Sequence, residues 1–361
     1  MHQKRSWLKA FSLLIPLLLL LSACNLDGTT SSSTTSSGKN PADIHVGFVS
    51  ETQDQNFAED MAAGAQYAAN QFHVTAQIVA PPISNGNQAV QLFNKLTQTA
   101  HDGIAVETLE PNLFVGPEAR AVKQGIPIIA VDTTPLKGSN ITTYVGNDNV
   151  AAGALLANAA IERIPPNATG SILLGNPIPG VPVLDYRVQG MKQEFQKLRP
   201  NLHAIGPIAT GELPQMNLQA WQQTVTQYSN IVACLGAGDA DGVSLAQIKQ
   251  TSHSTYLSAA FDLNEAALQS VANGTNFALV DPEHFLKGYV AMRLLIEHAL
   301  QGTAIPQGWW NPGALLVTQT NVQDIITRQT SFDAKAQFYQ PIIDKEFANP
   351  AAQIAPLSQA K

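Results

Sequence analysis

From Ile44 to about Val317, short β-branched runs alternate with longer amphipathic stretches, and few architectures accept that pattern over so long a span. Strand and helix in strict repetition mark βαβ units and a mostly parallel sheet. Ile44–Ser50 reads as the first strand. Asn56–Gln71 reads as a helix with Phe57, Met61, Gly64, Ala65 and Ala68 on one face at helical spacing. Strands follow at Val74–Val79, Gly103–Glu107 and Ile126–Val131, with helices at Asn87–Ala100 and Asn112–Gln124 between them. After Asn147 the pattern restarts, with strands at Ser171–Leu174, His203–Pro207, Ile231–Leu235, Tyr256–Ala260 and Phe277–Val280. A long helix, His284–Gln301, and a strand, Ala314–Thr318, close it. At about 100–200 residues per domain, this body is two lobes, each on a parallel sheet of about five strands. The expected class is therefore α/β.

The N-terminus carries a different message. Lys4, Arg5 and Lys9 precede a nearly unbroken apolar run from Phe11 to Leu21, as in an export signal. The run falls short of the ~20 apolar residues a spanning helix needs. Leu21-Ser-Ala-Cys24 resembles the lipobox of bacterial lipoproteins, which implies removal of residues 1–23 and a lipid on the Cys24 thiol. Residues 24–43 then form a Ser/Thr-rich tether, whose reach on the order of 20–25 Å holds the body off the membrane. Loss of the three leader cations takes the formal charge from −7 to −10. So acidic a chain excludes nucleic acid as a partner and leaves the lipid as the sole expected membrane attachment. The predicted address is the cell envelope, outside the cytoplasm. Cys234, in the apolar run Ile231–Leu235, reads as a buried core thiol.

In open α/β sheets ligands bind beyond the carboxyl ends of the strands. Ser50, Asp132-Thr133, Asp239, Asp262 and Asp281 stand at such ends, and Asn56-Phe57 lies just past the first. A chain only 13% charged thus spends four aspartates there. Carboxylates accept paired hydrogen bonds from vicinal hydroxyls, and one guanidinium fork, Arg187, can donate to two oxygens at fixed spacing, which suits a neutral polyhydroxylated ligand. Each aspartate could instead cap the next helix, as Asp262 and Asp281 are placed to do. Arg187 could instead pair with Glu194 or Asp185. The Phe57 ring could cover the C–H face of a sugar, whereas Trp221, Trp309 and Trp310 read first as core.

Other chemistry finds no support. Gly236-Ala-Gly-Asp-Ala-Asp-Gly242 lacks the third glycine of a dinucleotide loop and the acids of a calcium loop. No metalloprotease, nucleophile-elbow or phosphate-loop motif occurs, and the histidines show no metal-ligand spacing. The chain is read as a non-enzyme with no cofactor, no metal and no catalytic residue.

Taken together, several blocks resemble the bacterial sugar-binding proteins of ABC importers, of the ribose- and galactose-binding type. They are Ile44–Ser50 with Asn56-Phe57 and Gly64-Ala65; Gly125–Asp132; Val145–Asn149 with Gly153; Arg187–Gly190; Ala260–Asp262; and Val280–Pro282 with Gly288-Tyr289. The resemblance spans roughly residues 44–318. It implies two Rossmann-like lobes joined by a three-stranded hinge, the type I periplasmic-binding-protein fold, with the ligand in the cleft. The crossovers would fall near Asn147, Val280 and Trp309. One lobe would hold 44–147 and 281–308, the other 148–280 and 309–361 with a C-terminal extension. The implied ligand contacts are Ser50, Asn56, Phe57, Asp132, Thr133, Arg187, Asp239, Asp262 and Asp281.

The departures are informative. Thr133 stands where many members carry Arg, Gly238 where Asn is usual before Asp239, and Asp281 where Gln or Asn is usual. Fewer guanidiniums and more carboxylates point to a neutral or cationic ligand. The implied function is a monomeric, lipid-anchored receptor that captures a monosaccharide or polyol and delivers it to an ABC transporter permease. The alternative is a sensory protein presenting the ligand to a membrane receptor or histidine kinase. A repressor on the same body would carry a basic helix-turn-helix where this chain has an export signal.

Overall fold

The computed structural model describes residues 39–361; Cys24, the apolar run before it and most of the tether lie outside the described residues. The first lobe runs β1 (Val46–Val49), α1 (Asn56–Gln71), β2 (Ala76–Val79), α2 (Gly86–Leu96), β3 (Gly103–Glu107), α3 (Pro111–Lys123), β4 (Ile128–Val131) and β5 (Thr143–Val145). Its strands pair in parallel in the order β2-β1-β3-β4-β5. Every residue of β1, β3 and β4 is buried, as expected of strands covered by helices on both faces.

The second lobe repeats the plan with α4 (Asn149–Ile161), β6 (Gly170–Asn176), α5 (Pro182–Leu198), β7 (Leu202–Ala209), α6 (Pro214–Gln227), β8 (Ile231–Gly236), α7 (Asp239–Ser252), β9 (Leu257–Phe261), α8 (Glu265–Ala272) and β10 (Ala278–Asp281). Its order, β7-β6-β8-β9-β10, carries the same reversal. Proline opens α3, α5 and α6, where its missing N–H costs nothing and its fixed φ suits the first turn.

The chain then returns. α9 (His284–Gln301) packs on α1, β11 (Gly308–Trp310) joins β5 in parallel, and β12 (Leu315–Val317) pairs antiparallel with β10. α10 (Val322–Gln329) lies against α8 of the second lobe, whereas α11 (Phe332–Phe347) lies against α1 and α9 of the first. β13 (Ile354–Ala355) finally pairs with β11. The sheets therefore hold seven and six strands, more than the five expected of each, because β5, β11 and β13 are too short to show a period and β12, expected as Ala314–Thr318, adds to the second sheet.

Two expectations need correction. Trp309 and Trp310 belong to the first sheet, so the third crossing lies in residues 311–314, after Trp309. Residues 309–361 are also divided between the lobes, and a further crossing falls between α10 and α11. The physical reason is the aromatic face of α11. Its Tyr339 stacks on Phe285 of α9 with ring centroids 4.7 Å apart, and Phe347 packs on Trp310 at 5.0 Å. Trp221, Trp309, Trp310 and Cys234 are buried.

Each lobe contains one helix crossing that only glycine permits. A Cβ on Gly64 of α1 would stand 1.9 Å from the Phe285 carbonyl oxygen, and one on Gly288 of α9 would stand 1.9 Å from that of Met61. Gly153 of α4 and Gly190 of α5 meet Arg187 and Val150 carbonyls in the same way, at 2.0 Å. These crossings fix the helices that carry the charged side chains of the cleft.

Candidate interlobe binding site

Asp132 and Asp262 occupy equivalent places, one residue past β4 and one past β9. Each donates its backbone N–H to the last buried turn of the neighbouring strand, Asp132 to Val145 O and Asp262 to Val280 O, both at 2.9 Å. Both adopt left-handed backbone conformations, with φ of 64° and 69°. Asp is one of the few non-glycine residues that tolerates that region, and such conformations gather at functional sites. Helix α8 is capped by Asn264, whose side chain accepts from Ala266 N, so Asp262 is left for other work.

That work is ionic. Arg187, buried on α5, sets Nη1 3.6 Å from Asp262 Oδ2 and donates to Ala237 O at 2.9 Å, with its guanidinium 4.4 Å over the Phe261 ring. His284 Nε2 lies 2.9 Å from Asp262 Oδ1, and Nδ1 of the same ring lies 3.9 Å from Asp132 Oδ1. Lys287, fully buried, donates to Asp132 Oδ1. Burial alone would raise both carboxyls. The cations overcome it, with Lys287, His284 and Arg187 holding Asp132 down at about 2, and Arg187 and His284 lowering Asp262.

Asp132, Arg187, Asp262 and His284 border a cavity between the lobes. Asp132, Arg187, Asp239, Asp262 and His284 supply its charge, and Phe57, packed 5.9 Å from the His284 ring, supplies an aromatic wall. Asp239, the first residue of α7, points a buried Oδ1 with no protein partner. Burial and repulsion from Asp262 push its carboxyl up to about 7. The lobes meet across the mouth, where Asn56 Oδ1 accepts from Leu263 N at 3.2 Å and Gln55 donates to Glu212.

Four expected contacts stand elsewhere. Ser50 Oγ donates to Glu107 Oε2 at 2.5 Å behind the cavity. Asn56 serves the lobe-to-lobe bond just described. Thr133 is buried without lining the cavity, and its Oγ1 has no partner. Asp281 is consumed in structure: Oδ1 accepts from Glu283 N at 2.8 Å, and Oδ2 from Arg328 Nη2 of α10 at 2.7 Å. That carboxylate is neutralised by the C-terminal extension, which is why it does not reach the cleft.

Sequence reasoning missed His284 and Lys287, which replace the cation absent at Thr133. A signal existed, since two basic residues stand in the first turn of a helix otherwise apolar there, where the dipole disfavours them. Only a facing carboxylate could hold them.

Residues 46–304 match the periplasmic binding protein domain. The chain belongs to that family. Its members are binding proteins, and the fold of two mostly parallel sheets is the family's own. Among curated relatives, the "Xylose/arabinose-binding protein XylF" of Sulfolobus acidocaldarius is 21% identical over 256 residues, 66% of this chain and 62% of that protein. The "D-allose-binding periplasmic protein" of Escherichia coli is 26% identical over 268 residues, 72% of this chain and 85% of that one. An ABC transporter solute-binding protein from Burkholderia graminis, solved in complex with D-arabinose, superposes with a TM-score of 0.72 at 22% identity, covering 78% of this chain and 98% of its own.

Proposed function

We propose that this family member is a lipid-anchored, extracytoplasmic receptor that captures a monosaccharide or polyol between its lobes and delivers it to an ABC transporter permease. One observation carries the reading: Asp132 from one lobe and Arg187 and Asp262 from the other converge on one cavity beside Phe57. Asp132, Arg187, Asp239 and Asp262 are the ligand's polar contacts, and Phe57 covers its C–H face. Burial of charge so nearly balanced, with each low-lying carboxylate facing a cation, suits a neutral ligand better than an ion. The relatives named for xylose, arabinose and allose support the same class.

Closure is a two-state equilibrium that a ligand shifts by its differential affinity for the closed form. A thermal-shift screen of pentoses, hexoses and polyols tests the capture step. Ligand at 1,000 times Kd adds about 4 kcal/mol, or roughly 8–16 °C at ~2–4 °C per kcal/mol. A shift with amines or nucleosides and none with carbohydrates would overturn the substrate class. The anchor is tested by Cys24→Ser, which should release the protein from membranes and abolish fatty-acid labelling.

A further inference from the structure

The chemistry of the cavity divides along one helix. Val183 and Leu184 stand four and three residues before Arg187 on α5, and all three line the cavity. At that spacing they share a face, one turn of about 5.4 Å apart. Leu109, past β3, and Ile178, past β6, add to the aliphatic side. None of these four side chains can accept or donate a hydrogen bond.

Much of the polar capacity around the cavity is already spent. Gln55 holds Glu212, Asp262 gives Oδ1 to His284, and Asp132 gives one oxygen to Lys287. What faces a ligand is the second Asp132 oxygen, Asp262 Oδ2, the second terminal nitrogen of Arg187 and the unpartnered Asp239 Oδ1. That set recognises one hydroxylated edge. It cannot satisfy hydroxyls on all sides.

Building on the sugar-binding reading above, we infer that the ligand is a deoxyhexose: its hydroxylated edge meets Asp132, Arg187, Asp239 and Asp262, and its exocyclic carbon is a methyl set against Val183, Leu184 and Leu109. A hydroxymethyl group in that place buries a hydroxyl with no partner, which is costly. A methyl buries apolar area instead. A pentose, with only hydrogen there, leaves the wall uncovered.

The test is calorimetry on the full chain with sugar triads of identical ring stereochemistry, differing only in hydrogen, methyl or hydroxymethyl at that carbon. Suitable triads are D-arabinose, L-fucose and L-galactose; L-lyxose, L-rhamnose and L-mannose; D-xylose, D-quinovose and D-glucose; and L-arabinose, D-fucose and D-galactose. Within the triad that binds, the deoxyhexose should be tightest, by about tenfold or more over the hydroxymethyl sugar. Val183→Thr keeps the shape of the wall but adds a hydroxyl, and should cut that ratio several-fold; Leu184→Asn should do the same. A deoxyhexose no tighter than both partners overturns the inference and leaves sugar binding intact. A ratio unchanged in both folded variants overturns the assignment of the wall. Binding of no member of any triad overturns the sugar reading itself.

Discussion

The two lobes share a strand order, a glycine helix crossing and an aspartate in left-handed conformation at the same strand end, yet they treat their buried carboxylates differently. The first lobe turns Glu51 and Glu107 inward and leaves Asp132 at the cavity. Glu107 accepts from Ser50 Oγ and Glu51 N, Glu51 from Thr108 Oγ1, Leu109 N and Glu110 N, and Asp132 gives one oxygen to Lys287. The second lobe ties Asp241 and Asp281 into structure as well but leaves two at the cavity, Asp239 unpartnered at one oxygen and Asp262 held by a guanidinium that itself lines the pocket. An acid at a strand end thus says little until its neighbours are known. Where backbone N–H groups hold it away from the cavity, as at Glu51, it is structure; where it borders the cavity with an oxygen to spare, it is open to a ligand.

The largest expected effect separates the two cations. Removing either partner of a buried ion pair strands a charge at a cost of about 3–5 kcal/mol. Arg187→Met and Lys287→Met should therefore both lower Tm substantially, by denaturation followed with circular dichroism. Only Arg187→Met should also abolish binding outright, since Lys287 does not line the cavity. Equal loss of binding in both variants would erase the distinction between the lobes.

The glycine crossings should fail alike. Gly64→Ala and Gly153→Ala each push a methyl to within 2.0 Å of a carbonyl oxygen, and overpacking of this kind costs about 3 kcal/mol. Chemical denaturation should give the two variants similar losses. A loss confined to one would show that the repeated architecture is not repeated in its energetics.

These crossings also explain how much could be read beforehand. Gly64, Gly153, Gly190 and Gly288 all lie in the blocks that carried the family resemblance, because backbone contact forbids any other residue there. The long strands and helices were legible from their periods, and α1 and α9 have the expected bounds. Asp132, Asp239, Asp262, Arg187 and Phe57 were legible as cavity residues because position relative to a strand end is a sequence property. Ser50, Asn56 and Asp281 were not distinguishable from them, since what holds each away from the cavity is a partner distant in sequence, Glu107, Leu263 and Arg328, and Thr133 is buried with no partner at all. The extension's two-lobed course was equally hidden, because an amphipathic face does not say which surface it covers.

A titration separates the two kinds of carboxylate within the first lobe. The Asp132 carboxyl falls from 3.8 to about 2 on folding, so its contribution is present above pH 3.8 and is lost as pH falls through about 2. Glu107 behaves oppositely, because burial and then repulsion from Glu51 push it from 4.5 up to about 8. The folded state then holds the extra proton, and stability is greatest below pH 4.5 and is lost as pH rises through about 8. Glu107→Gln removes that slope. The stability difference between variant and parent should shift toward the variant by about 1.4 kcal/mol per pH unit across that window, measured by urea denaturation at a series of pH values.

The smallest effect is the most discriminating for the site. Ser50 stands at the end of β1, where the resemblance implies a ligand contact, but its hydroxyl is held by Glu107 at 2.5 Å and it does not border the cavity. Ser50→Ala should then cost the ~1 kcal/mol of one hydrogen bond, with Kd for the bound sugar unchanged. Because the lost donor stabilises the charged form of Glu107, the alkaline part of that cost should vanish in the Glu107→Gln background, so the two substitutions are non-additive at high pH and closer to additive at low pH. A weakened Kd without this coupling would instead place Ser50 on the ligand, and would make the first lobe's strand end as open to the cavity as the second's.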